Sequence, residues 1–192
     1  MADPEVMSIL HAVNPAGRGP DAPLFSDDSM SKLAALPSSE EQLLTVVRDP
    51  ISDQALRFVA AEALVEGNWT DWRSDSAKRR AVADGLANAI PQDRIHNRWG
   101  LPGSFVGPFG ERLLSLGAEA EAALVALLDD TRPLHIVGSE AATLNSQSQF
   151  RVSDLAAWLI AASRHLPWQA DGTPAERDNA IADLRQQRKI GK

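Results

Sequence analysis

Between Leu43 and Gly67 the apolar residues recur at helical spacing, with one break at Asp49-Pro50 and a stop at glycine. Leu56, Val59, Ala60, Ala63 and Leu64 fall at i, i+3, i+4, i+7 and i+8, which lines one face of a helix and scatters over both faces of a strand. A proline removes the α region from the residue before it, so Asp49 ends one helix and Ser52 or Asp53 begins the next. Two short helices joined by a tight turn form an αα-hairpin.

The same grammar runs along the chain. Asp3-Pro4 predicts a capped helix ending near Val13, with Val6, Met7, Ile9 and Leu10 as its apolar face. Asn14 to Asp27 is rich in proline and glycine and reads as a linker. Met30, Leu33 and Leu36 suit a short helix over 29–36, and Ser39 and Gln42 have the spacing of a capping box. Further helices are predicted from Ser74 or Asp75 to Ile90, from Ser104 to Leu116, over 119–128, over 150–166, and from Thr173, with its own capping box to Glu176, to about Arg188. The chain has no tyrosine and few runs of β-branched residues. The expected fold is all-α with about seven or eight helices: residues 1–28 as a short helix and linker, residues 29–192 as a single domain.

Composition narrows the function. Without cysteine there is no disulfide framework, thiolate nucleophile or cysteine-ligated metal. A formal charge of −7 disfavours nucleic acid and anionic lipid unless cations gather on one face. No run of apolar residues is long enough to span a membrane. The opening residues have neither a basic start nor a long apolar core, so they do not read as a signal peptide. The cytoplasm is the expected compartment, or the periplasm or exterior if a signal peptide has been removed.

Residues 40–67, with paired leucines in a first helix, Asp-Pro at the turn and Arg57-x-x-Ala-Ala-x-Ala-Leu in a second, resemble a HEAT-type helical repeat. An interrupted second copy is traced over 116–130 and 151–163, with Ala156-Ala157-Trp158-Leu159-Ile160 at the positions of 60–64. Paired alanines let helices approach closely while leucines fill the layer between them. The resemblance implies a short array of helix pairs that acts as a scaffold or binding module. It transfers no catalytic residue.

Two segments escape the helical pattern. Residues 99–110, WGLPGSFVGPFG, place glycines where the backbone needs angles closed to other residues, and Gly107 and Gly110 leave room for close approach of another segment. Residues 131–149 show no period and read as a long connection, a length usually associated with function or disorder. The expected contact surface is therefore built from the loops around 94–103 and 131–151: Arg98, Trp99, Leu101, His135, Glu140 and Arg151, recognising a protein partner by preformed shape. No cofactor, metal or catalytic residue is assigned.

Two other readings have specific residues behind them. If the loops met, His96, His135 and Glu140 could bind a metal or serve a hydrolase. A positive groove formed by Lys78-Arg79-Arg80 and the basic tail from Arg185, with Trp69 or Trp72 stacking on a base, would suit a HEAT-like nucleic-acid binder. Trp69, Trp72, Trp99 and Trp168 fall in expected loops, where large rings seal helix ends or anchor a partner. Oligomeric state has no signature in the chain.

Overall fold

A computed structural model describes residues 2–13, 23–168 and 170–190. Among them are eleven α-helices and one two-stranded antiparallel sheet, so the molecule is mostly helical as expected. The linker expected over 14–27 lies outside the described residues from 14 to 22, as do residues 191–192 of the basic tail. The chain forms two compact units, Met1–Gln92 and Asp93–Lys192.

In the first unit, α1 (Pro4–Ala12) starts where the Asp3 carboxylate accepts the Glu5 N–H at 2.8 Å. Ser26 caps α2 (Asp27–Ala35) in the same way through Ser29 N–H at 3.2 Å. The two helices expected over 40–67 are present as α3 (Ser39–Arg48) and α4 (Gln54–Glu66), which share the most extensive helix contact of the unit. Leu43, Leu44, Val47, Ala60, Ala61, Ala63 and Leu64 are fully buried. Each leucine removed from water contributes roughly 1.5–3 kcal/mol. Asp75 caps α6 (Ser76–Ala87), which lies against both α3 and α4; a Cβ on Gly85 would stand 3.2 Å from Ala61 and from Val47. The four-residue α5 (Asp71–Ser74) turns Trp72 fully inward, its backbone N–H held by the Glu40 carboxylate.

The capping box at Ser39 does not form. Ser38 precedes the helix in the left-handed region without a side-chain cap, and Ser39 is buried. Gln42 is engaged elsewhere, where its Oε1 accepts the Asp3 N–H at 2.6 Å and its Nε2 donates to the Pro37 carbonyl at 2.9 Å. A tertiary contact to the start of α1 has overridden the local motif.

The second unit departs further from the sequence-based expectation at its start. Instead of a helix from Ser104, Gly100–Leu101 (β1) pairs with Phe105–Val106 (β2) in a tight hairpin, and α7 (Pro108–Leu114) follows. Gly100 and Gly103 turn it with φ of 132° and 77°. Gly107 and Gly110 press against backbone: a Cβ on the first would lie 2.4 Å from the Asn97 and Arg98 carbonyl oxygens, and on the second 2.2 Å from that of Trp99. Close approach by another segment is what these glycines permit.

Gly117, at φ 64°, then turns the chain into α8 (Ala118–Val125). Residues 131–149 are not an irregular connection throughout. They hold an extended strap and then α9 (Ser139–Ser148), a helix with no buried residue. A helix that buries nothing needs no apolar stripe, which is why no period marks it. α10 (Val152–Ser163) is the core of the unit, with every residue from Val152 to Ala161 buried, and it packs on α8 and on α11 (Pro174–Ile190). The capping box at the start of α11 forms as expected: Thr173 Oγ accepts the Glu176 N–H, and the Glu176 carboxylate accepts the Thr173 N–H at 2.6 Å.

Candidate functional site

The two irregular segments of the second unit meet. Leu134 and Ile136 are buried while His135 and Val137 between and beyond them are exposed, so the strap has strand-like alternation. Its backbone is paired on both sides. Leu134 N–H donates to the Phe150 carbonyl at 2.9 Å, Val152 N–H donates to the Arg132 carbonyl at 2.9 Å, and Pro133 bridges Arg151. Along the other edge, His96 N–H donates to the His135 carbonyl at 2.8 Å and His96 Nδ1 accepts the His135 N–H at 2.8 Å. Asn97 continues the ladder with its side chain, donating to the Val137 carbonyl at 3.0 Å and accepting from its N–H at 2.8 Å.

The six residues expected to form the contact surface separate into three groups. Arg98, Trp99 and Leu101 are buried, at 2%, 0% and 2% exposure, and so stand behind the surface rather than on it. Trp99 donates its indole N–H to Asp93 at 2.8 Å and meets Phe109 edge-on, with ring centroids 5.5 Å apart; Arg98 lies over the same Phe109 ring. The tryptophan thus seals the base of the hairpin. His135 and Glu140 are exposed.

Arg151 belongs to an ion network. Its guanidinium donates to Asp154 at 2.9 Å and to Asp178 at 2.7 Å, and its backbone N–H donates to Asp154 at 2.9 Å. The Asp154 hydrogen bond, followed by that to Asp178, holds this guanidinium more firmly protonated than an ordinary arginine, against the opposing effect of burial.

Arg177 is the residue that sequence reasoning missed. At 1% exposure it places its Nε 3.2 Å from the buried Asp154 carboxylate and its planar end over the Phe150 ring. It also donates to the carbonyls of Gly172 and, at 2.7 Å, of Ser148, the last residue of α9. The one available signal was spacing: residues 177, 181 and 184 make an i, i+4, i+7 stripe, and Ile181 and Leu184 are buried. Only its charge set Arg177 apart from that stripe when judged by residue type.

His96 and His135 come together, with ring centroids 5.7 Å apart, but Nδ1 of His96 is already bonded to backbone. Among the described residues no group of three or more His, Asp or Glu is placed to hold a metal ion. Lys78 pairs with Glu41, Arg79 donates to the Arg73 carbonyl at 2.7 Å, and Arg80 binds Asp84 through Nε at 2.9 Å. Trp72 is buried with Arg73 over its ring. Among the described residues no helix is long and apolar enough to cross a membrane.

No family model matches the chain, and neither the curated proteins nor the solved structures compared with it yield a match.

Proposed function

We propose that this chain is a protein-recognition module, HEAT-like in each of its helix pairs, that meets its partner through residues 135–148. The observation that carries the reading is α9, ten residues long with none buried. A helix this short is marginal in water by itself. Its last turn is tied down from the unit: Asn145 donates to the Leu134 carbonyl at 3.2 Å, and Arg177 reaches the Ser148 carbonyl at 2.7 Å.

One face of the helix, with Ala141, Ala142, Asn145 and Ser148, is half-buried, and the face that carries Glu140, Thr143, Leu144 and Gln147 is turned to solvent. Val137 and Leu144, 43% and 38% exposed, supply apolar contacts on this segment, and His135 and Glu140 supply polar ones. Arg98, Trp99, Leu101 and Arg151 support the strap and helix from within. The packing of α3 on α4 and of α8 on α10 supports the HEAT-like reading, because these are the helices that carry the two traced copies.

The test compares the tagged full chain with Val137→Asp and Leu144→Asp variants. Both variants are expected to keep the helical circular dichroism signal and lose the associated protein. A protein retained equally by all three chains overturns the site. Sedimentation of each chain alone identifies self-association as the source, if the wild type is dimeric and the variants are not.

A further inference from the structure

The first unit holds a cavity of about 640 Å³ between α2 and the C-terminal end of α4, open to solvent. Its lining combines aromatic and acceptor chemistry: Trp69 and Phe25 with the soft side chain of Met30, beside the carboxylate of Asp27 and the amide of Asn68. Among the described residues no lysine, arginine or histidine lines it. The unit around it is the acidic part of the chain, with eight Lys and Arg against fourteen Asp and Glu over residues 1–92, whereas residues 93–192 have eleven against twelve.

The position of the tryptophan is set by a glycine. Gly67 caps α4 with φ −76°, an angle open to any residue, so helix termination alone does not require glycine there. The requirement comes from Trp69: carbons of its six-membered ring lie 2.0, 2.2 and 2.9 Å from where a Cβ on residue 67 would be. The ring occupies the space that a side chain at residue 67 would fill, and so stands at the cavity wall before any ligand arrives. A preplaced ring loses little freedom on binding.

An aromatic wall with carboxylate and amide acceptors, in a strongly negative unit, matches a planar cation with several N–H donors. An anion meets repulsion there, and an uncharged polar group gains nothing from the field or from the ring quadrupole. We propose that this cavity receives the guanidinium of an arginine side chain of a partner protein, stacked on Trp69 and hydrogen-bonded to the Asp27 carboxylate and the Asn68 amide oxygen. Guanidinium suits the site better than ammonium because it stacks face to face on an aromatic plane and donates in a fixed fork. This surface is independent of residues 135–148.

The probe is an acetylated, amidated Gly-Arg-Gly peptide titrated into the isotope-labelled full chain, followed by the amide signals of residues 66–69 and the Trp69 indole signal. A Gly-citrulline-Gly peptide keeps the shape and removes the charge. Saturable shifts confined to the cavity are expected with arginine, with binding about 5- to 30-fold weaker for citrulline and for Trp69→Ala. Gly67→Ala, which keeps the tryptophan but displaces its ring, is expected to weaken binding as well, and it covers the case in which Trp69→Ala fails to fold. Asp71→Asn, an acid outside the cavity lining, removes the same charge and is expected to leave binding within about twofold. Equal binding of the citrulline peptide, an unchanged affinity in Gly67→Ala, or an equal loss in Asp71→Asn overturns the proposal.

Discussion

His96 and His135 clasp each other through three backbone groups and one ring nitrogen: the N–H of each is bonded to the other residue, His96 to the carbonyl of His135 and His135 to Nδ1 of His96, both at 2.8 Å. The second bond requires Nδ1 to be unprotonated, so it sets the tautomer of a buried ring. It also joins two segments 39 residues apart in the chain.

His96→Ala is therefore expected to detach the strap. It leaves the part-buried His135 N–H without its acceptor, a loss of about 1 kcal/mol, and it removes a buried ring besides. Urea denaturation measures the loss, and hydrogen exchange locates it: the amides of His135 and Val137 should lose protection while those of α10 keep theirs. Unchanged exchange along the strap would show that the Phe150 and Arg132 side of the ladder is enough.

Arg177→Met tests whether the buried cation holds the end of α9. Asp154 is fully buried and shared between Arg151 and Arg177. Removing one partner of a buried ion pair typically costs about 3–5 kcal/mol. The stability of the second unit should fall by that order, and the helical amides near Ser148 should exchange faster. A loss below about 1 kcal/mol would mean that Arg151 alone satisfies Asp154.

Two glycines separate backbone angle from space. Gly110 lies within α7, where alanine is normally preferred by up to about 1 kcal/mol, but its added methyl would meet the Trp99 carbonyl oxygen at 2.2 Å. Gly110→Ala is expected to destabilise the chain by about 1–3 kcal/mol as the backbone is forced apart. Gly138 has open space around it and a φ of 92° with ψ of 142°, so Gly138→Ala suffers from backbone angle alone, by about 1–3 kcal/mol. Thermal unfolding of the two variants, with crystal structures, would separate displacement of Trp99 from local strain before Ser139.

Acid sensitivity follows from carboxylates that serve as caps and turn acceptors. Backbone N–H groups of Lys78 and then Ala77 hold Asp75 below the usual aspartate range. The N–H of Ile51 followed by the Ser52 hydroxyl does so for Asp49, and the N–H and hydroxyl of Thr173 lower Glu176. A group lowered on folding contributes stability above its unfolded pKa and loses that contribution as pH falls through its folded value. Stability should therefore decline from about pH 4.5 downward. The gap between wild type and Asp75→Asn should be widest near neutrality and shrink toward about pH 3, as urea midpoints would show. A gap constant with pH would assign the effect of the substitution to packing.

Helices whose apolar stripes face a core were legible because burial leaves a periodic imprint, as at 56–64 and 152–160. Caps that act within one turn were legible to within a residue, as Ser52 or Asp53, Ser74 or Asp75, and Thr173 with Glu176, because donor and acceptor are near neighbours in the chain; the structure selects Asp53 and Asp75. The glycines of 100–110 announced close backbone approach without saying to what. Trp99 was harder to place, because a large ring in a loop reads alike whether it seals a core or awaits a partner.

The sequence by itself determined the helical class and the start of several helices, since propensity, periodicity and capping act over a few residues. Only the tertiary structure decided that Gln42 serves α1 instead of its own helix, that a hairpin replaces the helix expected from Ser104, that Arg177 is buried, and that His96 and Asn97 hold a strap some 40 residues away. Each of these depends on polar groups whose partners are distant in the chain. A hydrogen bond has no period, and nothing local in a histidine or an arginine reveals which carbonyl or carboxylate will be brought within its reach.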